Sequence, residues 1–306
     1  PRTRTAVHGP ADGDRQGRSQ HAAGHAFQKL PPGLTASEFN AIAAAANELG
    51  MPFAGHVPVS VGVTGALDAG IATIDHLDGY IAELMPADSD QSGGYGGFFD
   101  VLLANQVDLE RIQGVVAQTL AAGTWNVPTQ SLIEQLVNDV SAAELGSRPE
   151  MRYMPRATVR QWISAKESQL SERGFTPQIG ARAIRIRRQL IYALHEAGAG
   201  LLLGSDAPQI FNVPGFSLHH ELGFLVAAGL TPYEALSTGP TAVAEFLGTN
   251  TGTIETGKEA DLVLLDANPP LDISNSRRVH GVMVRGEWFS LTDLEKRLAD
   301  FLSEDE

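Results

Sequence analysis

Two short apolar runs, MPFAGH at 51–56 and GIATIDH at 70–76, each stop at a histidine, and residues 60–69 between them carry a helical pattern ending in Ala69-Gly70. A strand, a helix and a second strand in that order cannot form a hairpin. The crossover returns the second strand parallel to the first, so the chain is confined to a parallel sheet with helices on its outside.

The same rhythm extends in both directions. Thr35-Ala-Ser-Glu38 is a capping box opening a helix with Phe39, Ile42, Ala46 and Leu49 on one face, and that helix stops at Gly50. Helices are expected over 106–122, a strand over Gly123-Thr-Trp-Asn-Val127 stopped by Pro128, and mostly amphipathic helix over 130–173, long enough to arch over a site as a lid. Thr176-Pro177 starts a helix reaching about Gly198, and Gly200-Leu-Leu-Leu-Gly-Ser-Asp206 reads as a buried strand ending in a carboxylate. A helix over 216–229 and a second capping box, Thr231-Pro-Tyr-Glu234, follow. The SGGYGG run at 92–97 interrupts the rhythm as a loop. After Gly248 the pattern becomes short strands separated by Gly, Asn and Pro turns, and Leu291, Leu294, Leu298 and Phe301 stripe a last helix. Residues 1–26 show neither period and are expected to be disordered or foreign to the fold.

Composition limits the chemistry. With no cysteine there is no disulfide, no thiolate nucleophile and no thiolate zinc site, so a metal would be held by nitrogen and oxygen. A net charge of −14 repels phosphate backbones and anionic membranes, which argues against nucleic-acid and membrane partners. No run approaches the ~20 apolar residues of a bilayer span, and the first residues carry no secretory pattern. The chain opens at Pro1, so its natural N-terminus is expected upstream and its localisation is left open.

In a parallel barrel the C-terminal strand ends share one face, so His56, His76 and Asp206 are expected to meet. Two imidazoles and a carboxylate suit a hydrolytic Zn2+ or similar divalent ion, which lowers the pKa of bound water toward ~7. Asp206 is then the general base that passes the water's proton to the leaving nitrogen. The plainer readings are turn histidines and an Asp206 that caps the next segment. His219 and His220 are expected on a solvated helix face, His21 and His25 in an unstructured segment, and His8, His195 and His280 without supporting context.

The ordered stretches QKLPPGLTASEF, FAGHVP, TIDHLDGY, LLLGSDAP, GLTPYEAL, GTIETGKEADLVLLDANPP and VHGVMVRGEWF resemble the amidohydrolase superfamily, in its imidazolonepropionase-like and prolidase-like branch. The resemblance covers about residues 27–290. It implies an α/β fold: a metal-dependent (β/α)8 TIM-type barrel with a small β-sandwich, hydrolysing amide, cyclic amide or Xaa-Pro-like C–N bonds of a small-molecule substrate with one or two divalent ions. Matched residue by residue, it makes Lys29 a fourth-strand lysine that bridges metals when carbamylated, His56 and His76 the fifth- and sixth-strand ligands, and Asp206 the eighth-strand aspartate. Trp125–Pro128 falls on the seventh strand.

No His-x-His pair, which the family carries on its first strand, occurs in this sequence. The expected organisation is therefore a leader at 1–26, a partial barrel of strands 4 to 8 with a helical insertion at 27–247, a sandwich part at 248–290 and a tail at 291–306. A partial barrel has open edges, which a homo-oligomer would cover. The rivals to a working hydrolase are an inactive, truncated fragment and a related fold with isomerase or decarboxylase chemistry.

Overall fold

The computed structural model describes residues 9–86 and 96–304; His8 and most of the SGGYGG run lie outside the described residues. The chain divides into two compact units, 1–128 with 185–201, and 129–184 with 202–306.

The first unit begins with α1 (Pro10–Ala22), where no period was expected. Its face toward α2 (Ala36–Leu49) is made of glycine rather than large apolar residues. A Cβ on Gly13 would lie 2.9 Å from the Ile42 side chain, and one on Gly17 2.9 Å from Gln28. The helix is further supported by Arg18, which reaches Asp14 one turn back and Glu48 on α2. Glycine is weak helix material and invisible to a hydrophobic period, which is why the sequence pattern concealed this element.

From there the expected alternation holds. β1 (Gln28–Leu30), α2, β2 (Phe53–Gly55), α3 (Gly62–Asp68), β3 (Thr73–Asp75), α4 (Tyr80–Glu83), α5 (Ile112–Ala122) and β4 (Trp125–Val127) follow in turn. The four strands form one parallel sheet in the order β1-β2-β3-β4. Thr35 and Glu38 make both bonds of the capping box, and Gly50 closes α2 at a φ of 62°. Phe39 and Ile42 from α2 and Leu30, Phe53 and Ile74 from the strands are all buried, with Phe39 set edge-on to Phe53 at 6.1 Å. Each such side chain contributes roughly 1.5–3 kcal/mol relative to an exposed one.

In the second unit α6 (Gln130–Val137), α7 (Ala142–Gly146) and α8 (Arg156–Leu170) realise the expected helical stretch. The long α9 (Pro177–Glu196) starts in this unit and contributes its residues from Arg185 onward to the first. α10 (Phe216–Ala228), α11 (Pro232–Ser237) and α12 (Pro240–Leu247) precede an antiparallel three-stranded sheet of β5 (Leu262–Leu265), β6 (Val279–Val284) and β7 (Glu287–Ser290), then α13 (Leu291–Glu304). Thr231 and Glu234 make the second capping box. Leu145, Met151, Trp162, Phe211 and Val213 form a buried cluster, with Trp162 6.1 Å from Phe211.

The expected strand at 200–206 is corrected. Only Leu201 makes a ladder contact, a single parallel bridge to Asn126. The amide of Leu203 instead donates to the Thr238 carbonyl at 2.9 Å, and Asp206 turns into left-handed backbone with a φ of 51°. An apolar run becomes a strand only where a neighbour offers a continuous row of partners, and here that row ends after one residue. Among the described residues the parallel sheet therefore does not close into a barrel.

Candidate metal and hydrolytic site

Because β1, β2 and β3 are parallel and in register, Lys29, His56 and His76 lie on or just beyond successive strands. Lys29 pairs with Ala54 across the sheet, and Gly55, at a φ of 125°, has no room for a side chain: a Cβ there would sit 2.8 Å from the Leu30 carbonyl and 3.1 Å from Lys29 Cδ. The chain leaves β2 close against β1 and reaches His56 at once.

The structure brings the two histidines together, with ring centroids 4.8 Å apart and planes inclined by 35°. His56 Nδ1 lies 2.7 Å from Asp78 Oδ2, so a proton on that nitrogen is donated to the carboxylate and the ring is oriented by it. His76 is buried at 4 % exposure. Burial, then the neighbouring charges of His56, Lys29 and Arg187, push its pKa down to about 2, so its imidazole is neutral. The Lys29 ammonium is ion-paired with Asp75, whose other oxygen accepts from Thr73. Asp100, pushed up to about 6 chiefly by burial and then by Asp78, brings a further carboxyl into this electrostatic neighbourhood.

Two features of this centre gave no signal in the sequence pattern. Asp78, three residues beyond β3, orients His56. Arg187, from α9 and 1 % exposed, donates Nη1 to the His76 carbonyl at 2.6 Å and Nη2 to the Pro128 carbonyl at 2.9 Å. Phe99 packs its ring 5.5 Å from that of His76 and 5.6 Å from the Arg187 guanidinium. Local spacing could not flag Arg187, which is 111 residues from His76.

Asp206 belongs to the second unit and is exposed there. His219 and His220, expected on a solvated face, are half-buried instead: His219 Nδ1 lies 3.0 Å from Ser276 Oγ, and His220 bridges Glu150 at 2.9 Å and Arg277 at 3.1 Å. His280 pairs with Asp266 at the surface. His21 lies on α1 and His25 just beyond it, both exposed.

The chemistry of the donors fits a divalent ion in part. Imidazoles are suitable ligands, and the Asp78 contact to His56 is of the kind that supports ligating histidines. Lys29 as an ammonium is not a donor, and among the described residues no group of three or more His, Asp or Glu is gathered closely enough to hold an ion. The two imidazoles alone do not make up an ion site among the described residues.

A parallel sheet with helices on its outside and an imidazole pair at adjoining strand ends defines the class of the fold, an α/β protein. The chain belongs to the amidohydrolase family, whose model matches residues 24–289. Among solved structures, bottromycin amidohydrolase is similar at 23 % identity and a TM-score of 0.69, over 98 % of this chain and 63 % of that one. A Xaa-Pro dipeptidase with bound methionine in its active site is similar at 20 % identity and a TM-score of 0.56, over 93 % of this chain and 59 % of that one. The ochratoxinase of A. niger is similar at 18 % and 0.58, over 92 % and 55 %. At these identities the likeness is one of fold, and this chain spans about three-fifths of the length of the first two. Curated protein sequences yield no match. No helix among the described residues is long and apolar enough to cross a membrane.

Proposed function

We propose that the chain is a metal-dependent hydrolase of C–N bonds in small molecules, acting on an amide, a cyclic amide or an Xaa-Pro-like dipeptide. The observation that carries this reading is the His56–His76 pair, 4.8 Å apart at neighbouring strand ends with His56 held by Asp78, in a chain of the amidohydrolase family. Family membership supports this reaction type, and the similar solved structures named above include a dipeptidase and an amidohydrolase. In the same reading residues 27–247 are the partial barrel and the sheet within 248–290 its sandwich portion.

His56 and His76 would hold the ion, zinc or another divalent metal, together with Asp206 and a Lys29 that has reacted with CO2. When bound, such an ion would supply Lewis-acid polarisation of a carbonyl and a lowered pKa for bound water. For carbamylation the Lys29 ammonium would first have to leave Asp75 and lose a proton; the free amine would then add to CO2 and release a second proton, leaving an anionic oxygen donor. Asp206 would take a proton from the attacking water and return it to the leaving nitrogen, one carboxylate serving both halves of the reaction. His76, neutral through burial, needs no deprotonation before it ligates.

Metal content of the purified chain, measured beside His56→Ala and Asp206→Ala, tests the ligand set. The unmutated chain is expected to retain divalent metal that both variants lose; equal content in all three would refute it. A second reading is favoured by the incomplete cluster among the described residues: a non-catalytic relative that keeps the imidazole pair. It requires no turnover on a panel of amides and Xaa-Pro dipeptides even with added zinc and bicarbonate.

A further inference from the structure

The geometry points to Arg187 as a positioning residue for His76, acting through the backbone at the end of the parallel sheet. This inference deepens the metal-site reading and rests on it for its functional meaning. β3 and β4 exchange their last ladder bond where the His76 amide donates to the Val127 carbonyl at 2.8 Å. Beyond that bond, the carbonyls of His76 and Pro128 have left the strands and face the same way. The Arg187 guanidinium takes both, at 2.6 and 2.9 Å, so one side chain continues the pairing of two strands after their backbones can no longer do so.

The requirement for such a clamp is visible in the backbone. His76 and Leu77 stand at φ values of 60° and 52°, left-handed conformations that non-glycine residues adopt only where their surroundings enforce them. The clamp fixes the carbonyl of His76, and the ladder bond fixes its amide. With both sides of the residue held, its Cα–Cβ bond has a fixed direction, and the ring it carries packs near His56 and Phe99. Arginine suits this task because its planar fork presents two donors at fixed spacing, whereas a lysine ammonium is a single centre on a flexible stem. The Phe99 ring packs beside both the guanidinium and the imidazole.

The test compares the full chain with Arg187→Lys and Arg187→Met. In the metal-free protein, the 15N signals of the His76 ring are expected to move or broaden in both variants, because the ring loses its fixed direction. Zinc added alone is expected to bind about 10- to 100-fold more weakly to the variants than to the unmutated chain, the range typical of lost support for a metal ligand. Variants that are less stable yet keep the His76 ring signals and the zinc affinity of the parent would overturn the assignment, because Arg187 would then be a structural tie only. An unmutated chain that takes up no zinc would sink the metal-site reading, while the ring signals would still decide the role of Arg187. Should both variants fail to fold, Arg187→Gln, which reduces the fork of donors to a single amide, carries the decision by the same ring signals and zinc affinity: altered signals support the positioning role and parental ones overturn it.

Discussion

Lys166 on α8 is fully buried, and its ammonium donates to the Gln135 carbonyl at 2.7 Å, the Asn138 carbonyl at 3.1 Å and Asn138 Oδ1 at 2.7 Å. Three acceptors keep a cation tolerable in that position, but burial and the nearby Arg148 still push its pKa down to about 8, against the opposing pull of Asp139. The folded value lies below the unfolded one, so between about 8 and 10.5 the unfolded chain binds more protons at this site than the folded chain. Unfolding free energy contributed by Lys166 should therefore rise with pH through that window, and below it the ammonium carries its full burial cost. Urea unfolding of the parent and Lys166→Met from pH 7 to 10.5 checks this. The parent is expected to gain on the order of 1–3 kcal/mol relative to the variant across the range, and a pH-independent difference would show that the amine does not titrate as its surroundings dictate.

At the scale of elements, α6 is held at both ends by distant side chains of opposite charge. Lys166 covers its C-terminal carbonyls. At its N-terminus Thr129 adopts a φ of 45° and supplies no side-chain cap. Glu221 from α10 accepts there instead, from the amides of Gln130 at 2.8 Å and Ser131 at 2.6 Å, and is itself fully buried. A negative group at the start and a positive group at the end both complement the helix dipole. Glu221→Gln should cost about 1–3 kcal/mol, because the amide offers one acceptor oxygen in place of two and no charge; the loss is readable as a lower denaturation midpoint, and a midpoint unchanged from the parent would exclude this capping role. Capping boxes at Thr35 and Thr231 were readable in the sequence because their partners lie three residues away. The α6 caps were not, since Glu221 is 91 and 90 residues from the amides it serves.

At the scale of the whole molecule, the proposed ion should act as a stabilising ligand, since it binds the folded chain far better than the unfolded one. Free zinc at 100 times its dissociation constant would add ~2.7 kcal/mol. The melting temperature of the parent is therefore expected to rise with zinc and that of His56→Ala to stay flat; parallel shifts in both would assign the effect to adventitious binding. The periodic part of the sequence determined the parallel strand-and-helix alternation, both capping boxes and the two strand-end histidines, because each is encoded by residues within a few positions of one another. It did not determine α1, whose packing face is glycine, nor the fate of 200–206, where an apolar run met too few backbone partners to become a strand. Nor did it show that His56 is held by Asp78 or that Arg187 ties β3 to β4. Tertiary structure alone decided those, because a side chain's hydrogen-bond partner is set by which segments the fold brings within 3 Å, and spacing along the chain carries no record of that distance.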